Sequence, residues 1–265
     1  MKAVRFAVTT DPSKLNAASI DGNTPLHFAV LNNYLPLMSW LKERGADPNT
    51  RGPYGNTALH LAISTDRTAG GTVIRKLLSM GANVNATNEY DETPLHLAAS
   101  HGRTDSVRLL LKNGADVDRR ARRGETALLY AARPEGYPET MLALIESGAD
   151  ANAVDRIGMT PLHGAAMIGK VPVASVLVEQ GKADVNRQTA VGYTPLHIAA
   201  ISGKADFVRF LLEKGADRTR RDNEGLTSEE RAVRFPAMQY NKDGKSPVDT
   251  AAAVNFLRTY RASAP

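Results

Sequence analysis

The sequence predicts an all-α solenoid of stacked helix-turn-helix units with β-hairpin-like turns, about six full repeats plus terminal caps. Three observations carry that expectation. The stretch Gly192-Tyr193-Thr194-Pro195-Leu196-His197-Ile198-Ala199-Ala200 recurs as GNTPLHFAV around Thr24, GNTALHLAI around Thr57, DETPLHLAA around Thr93, GETALLYAA around Thr126, GMTPLHGAA around Thr160 and a decayed GLTSEERAV around Thr227. The intervals between these threonines are 33, 36, 33, 34, 34 and 33 residues. Such a unit holds one turn and two short antiparallel helices, too little to bury its own apolar face, so stacking is compulsory. Finally, each of the first six units closes on a Gly-Ala pair, interrupted once as Gly181-Lys182-Ala183.

Each Thr-Pro pair reads as a helix start. The threonine hydroxyl caps free amides, and proline is tolerated at the first helical position, where its missing donor is not needed. Alanine replaces that proline at Ala58 and Ala127. Small pairs such as Ala98-Ala99 and Ala199-Ala200 let neighbouring helices approach closely. The glycine after each second helix fits a C-terminal cap of positive φ, and the Asp or Asn residues that follow suit turns. Together these motifs resemble the ankyrin repeat family. The resemblance implies a repeat scaffold whose shared residues specify stacking and whose variable residues specify partners.

Taken in order, residues 1–18 read as an N-terminal half-repeat cap: Ala3-Val4-Arg5-Phe6-Ala7-Val8 forms an apolar helix face, and Leu15-Asn16-Ala17 matches Val84-Asn85-Ala86. Six repeats fill 19–222. In the first, helical spacing places the lone Trp40 among Leu37, Met38 and Leu41, so it is assigned to the core. The longest interval marks an inter-helix insertion over Thr65-Asp66-Arg67-Thr68-Ala69-Gly70-Gly71. Arg133-Pro134-Glu135-Gly136-Tyr137-Pro138 marks a proline-stiffened one. Repeat five adds Lys182 between the usual glycine and alanine. Residues 223–265 read as a degenerate capping repeat, with a polar first helix from Ser228 to about Phe235, an irregular connection from Pro236 to Gly244, and a final helix starting at Ser246-Pro247 and packing Val254, Phe256 and Leu257.

Composition narrows function without naming it. Thirty-three Lys and Arg against 28 Asp and Glu leave a formal charge of +5 over 265 residues, which permits acidic partners without demanding nucleic acid. The absence of cysteine rules out disulfides, thiol catalysis and cysteine-ligated zinc. No apolar run approaches membrane-spanning length, so no membrane partner is expected. The opening MKAVRFAVTT lacks the apolar core of a secretory signal. A cytoplasmic location is favoured, with a periplasmic or secreted one open if a signal has been removed, and a monomer is expected.

Five histidines, His27, His60, His96, His163 and His197, fall at one equivalent position, and Leu129 replaces the sixth. The resemblance implies that they are structural, joining turns of adjacent repeats. Equivalent groups one repeat apart stand roughly 10 Å from each other, too far to share a zinc ion. Zinc-protease, phosphate-loop, dinucleotide and nucleophile-elbow motifs are all missing, so neither catalysis nor a cofactor is expected. The resemblance places partner contacts on the turn tips and the inner face of the first helices. The candidate partner-binding residues there are Tyr54, Glu89, Tyr90, Arg122, Arg123, Tyr130, Arg156, Ile157 and Val191. Tyrosines are frequent interface anchors. Arg119-Arg120-Ala121-Arg122-Arg123 and Arg218, Arg220 and Arg221 form two basic clusters. The reading is a noncatalytic module that holds an acidic or mixed segment of another protein as scaffold, sequestering protein or inhibitor. The alternatives are nucleic-acid binding through the two clusters, or an immunity-like inhibitor of an enzyme.

Overall fold

A threonine at the head of each repeat starts the first helix and a left-handed residue at its end stops the second, so the chain folds as pairs of short helices. The computed structural model describes residues 2–65, 71–132, 136–236, 238–241, 244–247 and 249–260. Helix α1 (Lys2–Thr10) precedes the pairs α2 (Pro25–Leu31) with α3 (Leu35–Glu43), α4 (Ala58–Thr65) with α5 (Thr72–Ser79), and α6 (Pro94–Ser100) with α7 (Thr104–Lys112). The later pairs are α8 (Ala127–Ala131) with α9 (Pro138–Glu146), α10 (Pro161–Ile168) with α11 (Val171–Ser175), and α12 (Pro195–Ile201) with α13 (Ala205–Glu213). Helices α14 (Ser228–Arg234) and α15 (Ala251–Thr259) close the chain.

The chain falls into two compact units, Met1–Arg122 and Arg123–Pro265. In the first, α2 stacks on α4 and α4 on α6; in the second, α10 stacks on α12 and α12 on α14. Each first helix also packs on the second helix of its own repeat. Leu37, Leu41, Leu59, Leu77 and Leu110 are fully buried in one unit, and Leu128, Leu144, Leu162, Leu177 and Leu211 in the other. Ala98, Ala99, Ala199 and Ala200 are fully buried as well, as close packing of first helices requires. No described helix is long and apolar enough to cross a membrane.

Repeat five departs from the sequence reading in register. Its extra residue does not sit between glycine and alanine: α11 widens into a π-turn over Val176–Gln180, which absorbs it. Gly181 then ends the helix at φ −84°, and Lys182 at φ +55° takes the left-handed slot that Gly148 and Gly215 hold elsewhere. The next layer reads the same register. Asn152 Nδ2 donates to the Lys182 carbonyl at 3.3 Å just as Asn186 Nδ2 donates to the Gly215 carbonyl at 3.3 Å.

Two further expectations change. Trp40 is only half-buried, its indole flanked by the Arg44 guanidinium at 4.0 Å and that of Arg5 at 5.5 Å, while Leu37, Met38 and Leu41 supply the core. The stretch from Pro236 to Gly244 is not simply irregular, and Ser246-Pro247 does not open the final helix. Strands β1 (Met238–Asn241) and β2 (Gly244–Pro247) pair antiparallel with Met238 opposite Pro247, and this short hairpin is the one sheet among the described residues. Helix α15 starts later, where Asp249 Oδ1 accepts from the Ala251 amide at 2.9 Å. The insertions over 66–70 and 133–135 lie outside the described residues; Pro138 occupies the first turn of α9.

Lys182→Gly should raise the urea-denaturation free energy by about 1 kcal/mol, because it relieves a left-handed lysine. Gly181→Ala should lower it, since a Cβ there would stand 2.8 Å from both Ala151 Cβ and the Leu177 carbonyl oxygen. A destabilised Lys182→Gly protein would refute the shifted register.

Candidate functional site

A buried hydrogen-bonded box heads the first helices α2, α4, α6, α10 and α12 and fixes the turn tips before them. In repeat one the Thr24 hydroxyl stands 2.8 Å from His27 Nδ1, the Thr24 amide donates to the same nitrogen at 3.3 Å, and the His27 amide donates to Thr24 Oγ1 at 3.4 Å. Thr160–His163 and Thr194–His197 repeat all three bonds. Because Nδ1 accepts, the proton must lie on Nε2. That N–H donates to the next repeat: His27 to the Asn56 carbonyl at 3.1 Å, His60 to Glu92 at 3.0 Å, His163 to Tyr193 at 3.0 Å and His197 to Leu226 at 3.2 Å. With both nitrogens engaged, these rings have no lone pair left for a metal. No group of three metal-ligating side chains occurs among the described residues.

Burial holds these imidazoles neutral. Desolvation pushes His60 and His163 down from the ordinary 6.5 to about 4, the hydrogen bonds to the Glu92 and Tyr193 carbonyls opposing it only in part. His27 and His197 shift in the same direction for the same reason. Repeat four shows what the histidine supplies. With Leu129 in its place, the Thr126 hydroxyl is buried without a hydrogen-bond partner and α8 starts with no side-chain cap.

The boxes fix the segments that carry the tips, and a backbone ladder then ties tip to tip. In the first unit the Glu89 amide donates to the Tyr54 carbonyl and the Arg122 amide to the Tyr90 carbonyl, both at 3.0 Å. In the second, the amides of Arg156, Ala190 and Asn223 donate to the carbonyls of Arg123, Ile157 and Val191 at 2.9, 3.0 and 3.2 Å. With their backbones joined, the side chains project outward. Tyr54, Tyr90, Ile157 and Val191 are 65%, 49%, 60% and 55% exposed, and Glu89, Arg122, Arg123 and Arg156 are exposed beside them. Tyr130 lies apart from the tips, half-buried on α8.

Two tips have unusual local structure. Tyr54 adopts φ +56°, an outlier for a bulky side chain. Asp91 at φ +58° takes the place held by glycine in the other tips. Arg122 folds back over the Tyr90 ring at 5.9 Å, stands 3.8 Å from Asp91 and donates to the Glu89 carbonyl, so these four residues form one amphipathic knob.

The two basic clusters differ. Arg218 donates to the Leu257 and Tyr260 carbonyls at 2.8 and 3.1 Å, tying down the end of α15. Arg220 lies 3.6 Å from Asp217, and Arg221 donates to the Gly225 carbonyl and to Glu230. This cluster is built into the C-terminal cap. Arg119, Arg120, Arg122 and Arg123 are all solvent-exposed. Phe28 and Leu31 on α2 are also at the surface, 39% and 47% exposed.

A family model described as ankyrin repeats matches three times, over residues 2–88, 67–155 and 128–222. Among solved structures, the ankyrin repeat domain of Bcl-3, described as a unique member of the IkappaB protein family, is 33% identical with a TM-score of 0.70, over 79% of this chain and 94% of that one. With 623 solved chains matching, the likeness establishes architecture and does not single out a partner. No curated protein matches the chain.

Thr160→Val should cost about 1 kcal/mol in chemical denaturation, through its lost cap and unpaired imidazole, whereas Thr126→Val should be neutral or stabilising. Equal losses would refute the contrast between the boxes. Acid should act through the histidines. Their folded pKa values lie below the unfolded 6.5, so the unfolded chain binds protons first and stability falls from pH 6.5 toward about pH 4. His60 and His163 should each account for about 2 kcal/mol between pH 6.5 and 5. A denaturation free energy unchanged between pH 7 and 5 would contradict neutral burial.

Proposed function

Because the chain belongs to the ankyrin repeat family, whose domains generally serve as protein–protein interaction modules, we propose that it is a noncatalytic binding protein that recognises its partner through the turn tips. One observation carries the reading: Tyr54, Tyr90, Ile157 and Val191 project apolar surface from backbones the tip ladder has already fixed. Nothing inside the protein uses most of that surface. Tyr54 sharpens the point, since a left-handed tyrosine that is two-thirds exposed bears backbone strain without burial in return. Ordered, amphipathic side chains lose little entropy on binding and make effective anchors.

The exposed arginines beside these anchors, Arg123 and Arg156 next to Ile157, and Arg122 over Tyr90, suit a partner segment of acidic or mixed polarity. Binding would act by occupancy, as scaffold, sequestering protein or inhibitor. Phosphate recognition by the second cluster fits less well, because Arg218, Arg220 and Arg221 already hold carbonyls and carboxylates of the chain itself.

The test is capture from a nuclease-treated lysate by the native chain and by two tip variants, Tyr54→Ala with Tyr90→Ala, and Arg156→Ala with Ile157→Ala and Val191→Ala. A protein captured by the native chain should fall at least tenfold with one variant set, while the thermal midpoints of both stay near the native value. Leu110→Ala, a fully buried residue, should instead lose about 2–5 kcal/mol. A captured protein indifferent to both variant sets would overturn the tip assignment. Capture that disappears only with nuclease would replace it with nucleic-acid binding.

A further inference from the structure

The turn after α13, the head of α14 and the last turn of α15 enclose a pocket of about 320 Å³ whose walls include Arg218, Arg221, Ser228, Glu229 and Arg258. Its charges do not cancel. Arg221 Nη1 stands 3.1 Å from Glu230 Oε2 and Arg258 Nε stands 2.7 Å from Glu229 Oε1, so each of these arginines has its own carboxylate. Arg218 has none among the described residues. Its Nη1 donates to the Leu257 and Tyr260 carbonyls at 2.8 and 3.1 Å, which holds the guanidinium in place while Nε and Nη2 carry no bond to the described residues. One positive charge is therefore left over. Ser228 in the same wall is 1% exposed, and its hydroxyl is buried with no hydrogen-bond partner. An orphaned hydroxyl of that kind costs free energy that an acceptor would recover.

We propose that this pocket binds a singly charged carboxylate, with Arg218 as its counter-ion and the Ser228 hydroxyl as a second donor. The edge of a guanidinium formed by Nε and Nη2 is a fork that pairs bidentately with a carboxylate. Because two carbonyls already orient Arg218, little side-chain freedom is lost on binding. Charge decides against a phosphate. A phosphoryl group carries about −1.5 to −2 at neutral pH against one uncompensated positive charge, and Glu229 in the wall would repel the excess. A small organic acid and the carboxyl terminus of a polypeptide offer the same group. None of the candidate partner-binding residues lines the pocket, so the inference does not rest on the tip reading.

The experiment titrates the isotope-labelled full chain with sodium acetate at constant ionic strength and follows amide chemical shifts. Saturable shifts over residues 217–229 and 256–260 are expected, with a Kd of about 10 mM or tighter, and none with acetamide, the neutral molecule of the same shape. Ser228→Ala removes a buried group that has no partner, so its thermal midpoint should not fall, yet its acetate affinity should drop at least tenfold. Arg218→Gln should abolish binding. Arg234→Gln, at an exposed arginine outside the pocket, should leave it unchanged. Acetyl-triglycine separates the two sources: binding at least as tight as that of acetate assigns the site to a polypeptide carboxyl terminus, and weaker binding assigns it to a small acid. Absence of saturable shifts would overturn the proposal, as would shifts that acetamide or chloride reproduces. So would native affinity in both Ser228→Ala and Arg218→Gln, or tighter binding of inorganic phosphate than of acetate at about pH 8.

Discussion

The structure depends on keeping an imidazole neutral in a place where water cannot reach it. Where it occurs, the Thr-x-x-His box satisfies the first free amides of an inner helix, and the same ring reaches across with Nε2–H to a carbonyl of the following repeat. Local helix initiation and long-range stacking therefore share one side chain. This economy suits a unit of 33 to 36 residues, in which no separate core exists to position the turns. Leu129 marks where the device is missing: packing persists, but the Thr126 hydroxyl stays unpaired.

A second, solvent-side ladder works with the first. Asn49, Asn85, Asn152 and Asn186 each accept an amide of the following repeat and donate to the carbonyl of the residue that ends that repeat's second helix. Where these residues occur, buried imidazoles fix the inner edge of a layer and asparagines the outer edge. The C-terminal cap trades this pattern for charge. Arg231, nearly buried, lies 2.7 Å from Asp222 and 3.1 Å from Glu224. Glu230 replaces the histidine in the Thr227 capping box.

Much of this was legible in the sequence, because the residues that build the scaffold are the residues that repeat. Threonine caps, proline at the first turn and terminal glycines each answer to a local backbone demand, and local demands leave local signatures. The misreadings fall where a choice depended on partners far along the chain or on conformation alone. Lys182 follows a glycine in sequence yet takes the glycine's conformation, which no residue count reveals. Ser246-Pro247 looks like a helix start, but pairing with Met238 and Gln239 outweighs that signal. Tip exposure followed from alignment of the repeats. The commitment of Arg218 did not, since its acceptors lie 39 and 42 residues away.

The π-turn in α11 has a consequence for how such a chain tolerates change during descent. An added residue in a second helix swells one turn instead of sliding every later layer out of phase. The tip ladder on either side of it, Arg156 to Arg123 and Ala190 to Ile157, continues at 2.9 and 3.0 Å as though nothing had been inserted. The array thus has a slack register on its outer helices and a strict one at its tips. Length can therefore vary in the former while the spacing of the tips stays intact.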